Sequence, residues 1–146
     1  MRRGRLSLAA AGLALAGGVL VGAPRAAAQE TLQQAAAQAR QRWLAHDLAG
    51  LVAGSDTVRL QVPGIAESAA LGAAQAARLL GRYVGVMRET GFDLVTVQSA
   101  GANRGYAEGR RRYVVQGTAE QREETLFLGF ELRDGRWRLR EVRIVP

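Results

Sequence analysis

The stretch Phe130-Glu131-Leu132-Arg133-Asp134-Gly135-Arg136-Trp137-Arg138-Leu139 sets two alternating runs around Asp134-Gly135. Asp-Gly between such runs is the strongest short hairpin signal, because both central positions of a type I′ turn need positive φ. A two-residue turn pairs Arg133 with Arg136, Leu132 with Trp137, Glu131 with Arg138 and Phe130 with Leu139. Phe130, Leu132, Trp137 and Leu139 then share one face, and Glu131 and Arg138 face the other way. Beyond Leu139 the apolar positions change parity, to Val142 and Ile144, while Leu126 and Leu128 on the partner strand keep theirs. One extra residue near Arg140-Glu141 restores the match, which is a β-bulge, and bulges bend sheets. A bent antiparallel sheet wrapped around helices encloses a concave apolar interior.

Upstream, Tyr106 to Gly117 reads as a long strand containing Arg110-Arg111-Arg112, and Thr118 to Glu123 as a polar loop. Phe92 to Ser99 is β-branched and alternating, and Gly101 to Gly105 is a turn. The first half of the chain is helical. From Thr31, the residues Leu32, Ala35, Ala36, Ala39, Trp43 and Leu44 recur at helical spacing, ending near His46. Asp47 caps a short second helix carrying Leu48, Leu51 and Val52, closed by Gly54. Val58, Leu60 and Val62 alternate with Arg59 and Gln61 in a strand stopped by Pro63-Gly64. A third helix is expected from about Ala73 to Glu89, burying Ala76, Leu79, Leu80, Tyr83, Val84 and Met87 and ended by Gly91. The fold class is α+β.

The chain opens with Arg2, Arg3 and Arg5, an uncharged run from Leu6 to Ala23, and Ala26-Ala27-Ala28 before Gln29. That is the three-part plan of a secretory signal peptide, with cleavage expected after Ala28 and a periplasmic or secreted destination. Retention of the run as a membrane anchor is the alternative. Residues 29–146 then form a single domain. Four arginines leave with residues 1–28, so 20 basic and 13 acidic residues become 16 and 13, and the net charge falls from +7 to +3. All the basic side chains are Arg. The absence of cysteine excludes disulfides, thiol chemistry and lipidation at a cysteine. An exported address and a modest mature charge argue against a nucleic-acid partner, whose binding rests on phosphate neutralisation.

Two helices, a strand, a third helix and a bent antiparallel sheet give a layout that resembles the nuclear transport factor 2-like superfamily from about Thr31 to Val145. Val58-Arg59-Leu60-Gln61-Val62-Pro63-Gly64 is similar to a small exported branch of it, domain of unknown function 4783. So are the helix residues Gln75, Ala76, Leu79, Leu80 and Tyr83, the run Gly105-Tyr106-Ala107-Glu108-Gly109, and the ending Leu139-Arg140-Glu141-Val142-Arg143-Ile144. The resemblance implies a cone-shaped, cystatin-like fold and no particular activity, because this fold hosts isomerases, dehydratases, cyclases and non-catalytic modules. Ketosteroid isomerase-type members carry a carboxylate at the end of the first strand, shortly before a proline. Here Leu60 or Gln61 stands at that place before Pro63, and neither takes a proton at neutral pH. Members of the scytalone dehydratase type want histidines in the cavity, and His46 is the single histidine of this chain.

His46-Asp47 reads as a last-turn residue followed by an N-cap rather than a catalytic pair. A metal centre needs three or four converging ligands, and one His with no Cys does not provide them for zinc. No cofactor is expected. Glu123-Glu124 reads as solvated in its loop. The Arg110-Arg111-Arg112 run, with Arg138, Arg140 and Arg143, is expected to pair across strands with Glu108, Glu131 and Glu141, the ordinary construction of an exposed sheet face. A basic patch for an anionic envelope polymer or lipid headgroup is the alternative.

The function expected is an exported, non-enzymatic domain binding a small apolar molecule or a partner protein in the cell envelope. Trp43, Arg59, Gln61, Tyr83, Tyr106 and Trp137 are the expected pocket lining. A homodimer through the open sheet face bearing Phe127, Glu131 and Arg138 is implied by the resemblance. The rivals are a lyase or isomerase using Glu108 or Asp93 as a buried, unconventional base, and a purely structural protein with a filled core.

Overall fold

The computed structural model describes residues 29–65 and 70–146. The leader and its cleavage site after Ala28 lie outside the described residues. Helix α1 (Leu32–Leu44) starts at a capping box: the Thr31 hydroxyl accepts from the Gln34 amide at 3.1 Å, and the Gln34 side chain accepts from the Thr31 amide at 2.9 Å. It buries Leu32, Ala35, Ala36, Ala39 and Trp43, the face that its spacing predicts. His46, in the left-handed region at φ 53°, turns the chain into α2 (Leu48–Leu51), where Asp47 accepts from the Gly50 amide at 2.9 Å as N-cap.

Six strands form one curled sheet in the order β2-β1-β6-β5-β4-β3. They are β1 (Thr57–Gln61), β2 (Leu71–Gly72), β3 (Met87–Ser99), β4 (Arg104–Val115), β5 (Gln121–Arg133) and β6 (Arg136–Val145). All neighbouring pairs are antiparallel except β1 with β6, which is parallel. Helix α3 (Ala73–Val84) crosses between β2 and β3. It stops five residues before the expected end at Glu89: Gly85 is its C-cap, and Met87 and Glu89 instead pair with Val115 and Tyr113 of β4. Gly81 and Gly85 weaken the last turn, since glycine is among the poorest helix formers, and the long β4 offers the next residues a full ladder. Gly91 is therefore not a helix terminator. It lies inside β3, at one of two register shifts.

The hairpin has the register that Asp134-Gly135 predicts, from Arg133↔Arg136 to Phe130↔Leu139, with positive φ at both turn residues. The register then slips so that Gly129 faces Glu141, leaving Arg140 as the extra residue of the expected bulge. Val142 and Ile144 are thereby returned to the buried face beside Leu126 and Leu128. The interior of the cone is packed by these residues with Val58, Leu60, Val62, Ala76, Leu80, Phe92 and Trp43. On β4 the inward positions Gly105, Ala107 and Gly109 are small, and side chains fill the space above them: Leu32 lies over Gly105 and the Phe92 ring over Gly109. Glu30 is clasped to the hairpin. The Trp137 amide donates to the Glu30 carboxylate at 3.0 Å, the Trp137 indole to the Glu30 carbonyl at 3.2 Å, and the Glu30 amide to the Gly135 carbonyl at 3.2 Å.

Candidate functional site

Continuing along the inward face of β4 past Gly109, the next position is Arg111, which is completely buried. A buried guanidinium is costly unless it is paired and hydrogen-bonded. Arg111 is both. Its Nη1 donates to Glu124 Oε2 at 2.8 Å, its Nε to Glu89 Oε2 at 3.2 Å and its Nη2 to Glu89 Oε1. Nη2 also lies 3.2 Å from the Met87 sulfur. Three aromatic rings surround the guanidinium, with their centres 4.3 Å (Tyr113), 5.2 Å (Trp43) and 5.8 Å (Tyr83) from its carbon, within cation–π range. Glu124 Oε1 accepts from the hydroxyls of both Tyr83 and Tyr113, the latter at 3.0 Å. His46 Nε2 lies 3.3 Å from Glu89 Oε1 at the partly exposed edge of the cluster.

Each element brings one part of this network. β4 supplies Arg111 and Tyr113, β3 supplies Met87 and Glu89, β5 supplies Glu124, α3 supplies Tyr83, and the α1–α2 junction supplies His46. The phenols are held protonated well into the alkaline range: burial pushes both up, and the hydrogen bond each donates to Glu124 pushes them further. At the mouth of the cone the same residues floor an open cleft of about 640 Å³. Pro63, Tyr83, Met87, Tyr113 and Pro146 give it apolar surface, and Glu120 and Arg122, paired at 3.1 Å, stand on its rim.

Of the six expected lining residues, Trp43 and Tyr83 meet around Arg111, with Tyr83 alone of the six on the cleft, and Arg59 and Tyr106 meet at a separate opening on the outer face. Arg59 and Gln61 are exposed on the outer face of the sheet, because Val58, Leu60 and Val62 of the same strand take the inner one. Tyr106 is also on the outer face, out of phase with buried Ala107, and its hydroxyl donates to Gln98 at 2.8 Å. Trp137 lines a separate crevice of about 200 Å³ beside α1.

Glu124 corrects the expectation of a solvated Glu123-Glu124 pair: β5 begins at Gln121, so Glu124 falls in phase with Leu126 and Leu128 and points inward, while Glu123 points outward to Arg110 at 3.3 Å. Of the cross-strand pairs expected between the arginines and Glu108, Glu131 and Glu141, Arg140 with Glu131 forms at 2.7 Å, while Arg112 pairs with Asp93 at 2.6 Å. Arg140 holds the Glu131 carboxyl below the usual range. Asp93 is 62% exposed, and Glu108 is half-buried on the outer face, so neither is the buried base that an enzyme reading required. Asp47 serves α2 and Arg42 (2.8 Å), and His46 turns away from it to Glu89. No group of three or more His, Cys, Asp or Glu among the described residues is placed to hold a metal ion. No helix among them is long and apolar enough to cross a membrane.

No protein-family model matches the sequence, and no curated protein matches it significantly. Solved structures do. A DUF4783 family protein from Bacteroides ovatus is similar at TM-score 0.56 and 11% identity, over 72% of this chain and 88% of that one. A candidate isomerase from Bacillus subtilis is similar at TM-score 0.61 and 18% identity, over 77% and 84%. An NTF2-like protein with a cystatin-like fold from Novosphingobium aromaticivorans is similar at TM-score 0.56 and 16% identity, over 77% of each chain. The curled six-stranded sheet closed by three helices is thus the nuclear transport factor 2-like α+β cone, an architecture this chain shares with structures of the domain of unknown function 4783 family.

Proposed function

We propose that the protein is an exported, non-enzymatic binding module of the cell envelope, holding a small, largely apolar molecule in the cleft at the mouth of the cone. The observation that carries this reading is the state of the cleft floor. Glu124 Oε1 already accepts from two phenols and Oε2 from Arg111, so three of its roughly four acceptor positions are committed to the protein. What the cleft offers a ligand is fixed aromatic and thioether surface from Tyr83, Tyr113 and Met87, bordered by the charged side chains of Glu120, Arg122 and Glu123. The interior beyond it is filled by Arg111, Trp43 and Phe92, which confines a ligand to the mouth. The isomerase name belongs to the Bacillus neighbour; at the place where ketosteroid isomerase-type members carry a carboxylate, this chain has Leu60 in the buried core and Gln61 pointing outward. Export is supported by the basic, apolar and small-residue plan of residues 1–28.

Native mass spectrometry of the protein purified from its own cell envelope tests the reading. A retained molecule that is released when Met87 is changed to Ala is the expected result. Bare polypeptide, found reproducibly under gentle conditions, overturns it.

A further inference from the structure

The outer face of the sheet holds a second opening, unrelated to the mouth. In the ladder, Arg59 of β1 faces Glu141 of β6, Glu141 faces Gly129 of β5, and Gly129 faces Tyr106 of β4. These residues form one row across four strands, and its centre has no side chain. At about 4.8 Å per strand the row is roughly 14 Å long. The bulge adds to it: Arg140, the extra residue, comes to the outer side and joins Glu131, while Arg104 stands across from Glu131 on β4. The result is a glycine-floored trough of about 470 Å³, within the size range of small-molecule sites.

Its chemistry is specific. Arg59, Arg104 and Arg140 face two carboxylates, Glu131 and Glu141, which leaves one positive charge in surplus. Glu131 is occupied by Arg140, and Arg133 lies 3.7 Å away from it. The Arg59 and Arg104 side chains make no hydrogen bond or ion pair within 4 Å among the described residues, although the Arg104 charge helps to hold the Glu131 carboxyl down. The β1 end of the trough therefore presents the free guanidinium of Arg59, whose donors favour carboxylate and phosphate, and Arg104 stands at the β4 end. Glu141 presents acceptors for hydroxyl groups, and the Tyr106 ring, fixed by its hydrogen bond to Gln98, presents a flat surface beside the glycine floor.

We propose that this trough binds an acidic saccharide: a hydroxylated ring that stacks on Tyr106 over Gly129, gives its hydroxyls to Glu141, and places its carboxylate or phosphate on Arg59 at the β1 end of the row. Calorimetric titration of the purified protein with glucuronate, glucose 6-phosphate and glucose tests it. At least one of the two acidic sugars binds at least about tenfold more tightly than glucose, as a charge-assisted hydrogen bond implies, and which of them binds better assigns the anionic group. The double variant Arg59→Gln/Arg104→Gln loses that binding by at least about tenfold, with its thermal unfolding unchanged because both side chains are exposed. Equal affinity for all three sugars overturns the proposal. So does an absence of binding at about millimolar concentration, or binding that survives the double substitution.

Discussion

Arg111 and Glu124 meet at 2.8 Å between adjacent strands, both on the inner face of the sheet and both buried. A pair so placed is weak support for stability when intact and a heavy liability when halved, because removing one partner leaves a buried charge unpaired. Arg111→Met is therefore expected to destabilise the fold by about 3–5 kcal/mol in urea unfolding. Adding Glu124→Leu to it should recover part of that loss. An Arg111→Met protein as stable as the parent would show that the guanidinium is not held as described.

The two phenols on Glu124 give the fold an alkaline limit. Their folded-state pKa values are raised, first by burial and then by the hydrogen bond to Glu124, whereas an unfolded tyrosine titrates near 10. Above about pH 10 the unfolded chain releases these protons first, so stability falls as pH rises; below it their contribution is fully present. Tyr83→Phe and Tyr113→Phe should each flatten the loss of stability between roughly pH 9 and 11 in unfolding titrations. An unchanged alkaline slope in the double variant would rule this linkage out.

Arg140 is the residue that re-phases β6. Deleting it should turn Val142 and Ile144 to the outer face, withdrawing roughly 3–6 kcal/mol of apolar burial. The expected product shows no cooperative thermal transition by circular dichroism. A cooperative transition at the parent's temperature would mean that the strand reaches its register without the bulge.

Two glycines give substitutions of opposite sign. A methyl at position 109 runs into the Phe92 ring, so Gly109→Ala should cost about 1–3 kcal/mol as overpacking. Position 81, inside α3, has open space around it, and Gly81→Ala should stabilise by about 0.5–1 kcal/mol. Chemical denaturation of the two variants side by side checks the signs.

The hairpin and the bulge were readable in the sequence because parity carries both. Asp134-Gly135 pins the register, and the odd-to-even change after Leu139 locates the extra residue. The end of α3 was not readable, since Val86 to Glu89 suits either a helix or a strand and the pairing with β4 settles it. The buried network shows a different failure. Glu124 stands two residues before Leu126, in phase with it and with Leu128 and Phe130, so parity alone places it inside. Charge argued for solvent, and that rule fails where a partner waits across the sheet. Arg111 likewise shares its phase with Ala107 and Gly109, but its neighbours Arg110 and Arg112 disguise it as one member of a surface run.

The two ends of the sheet also bear on how the chain keeps to itself. One border is β2, only two residues long. The other is β3, thirteen residues long, whose register shifts at Thr90 and Val95 interrupt its ladder twice. Short borders and bulged borders are poor templates for a foreign strand. At high concentration, strand addition from other copies of the chain meets a border too short to extend at one side and one that breaks step at the other, so the long strands that curl this sheet into a cone do not also seed fibrils.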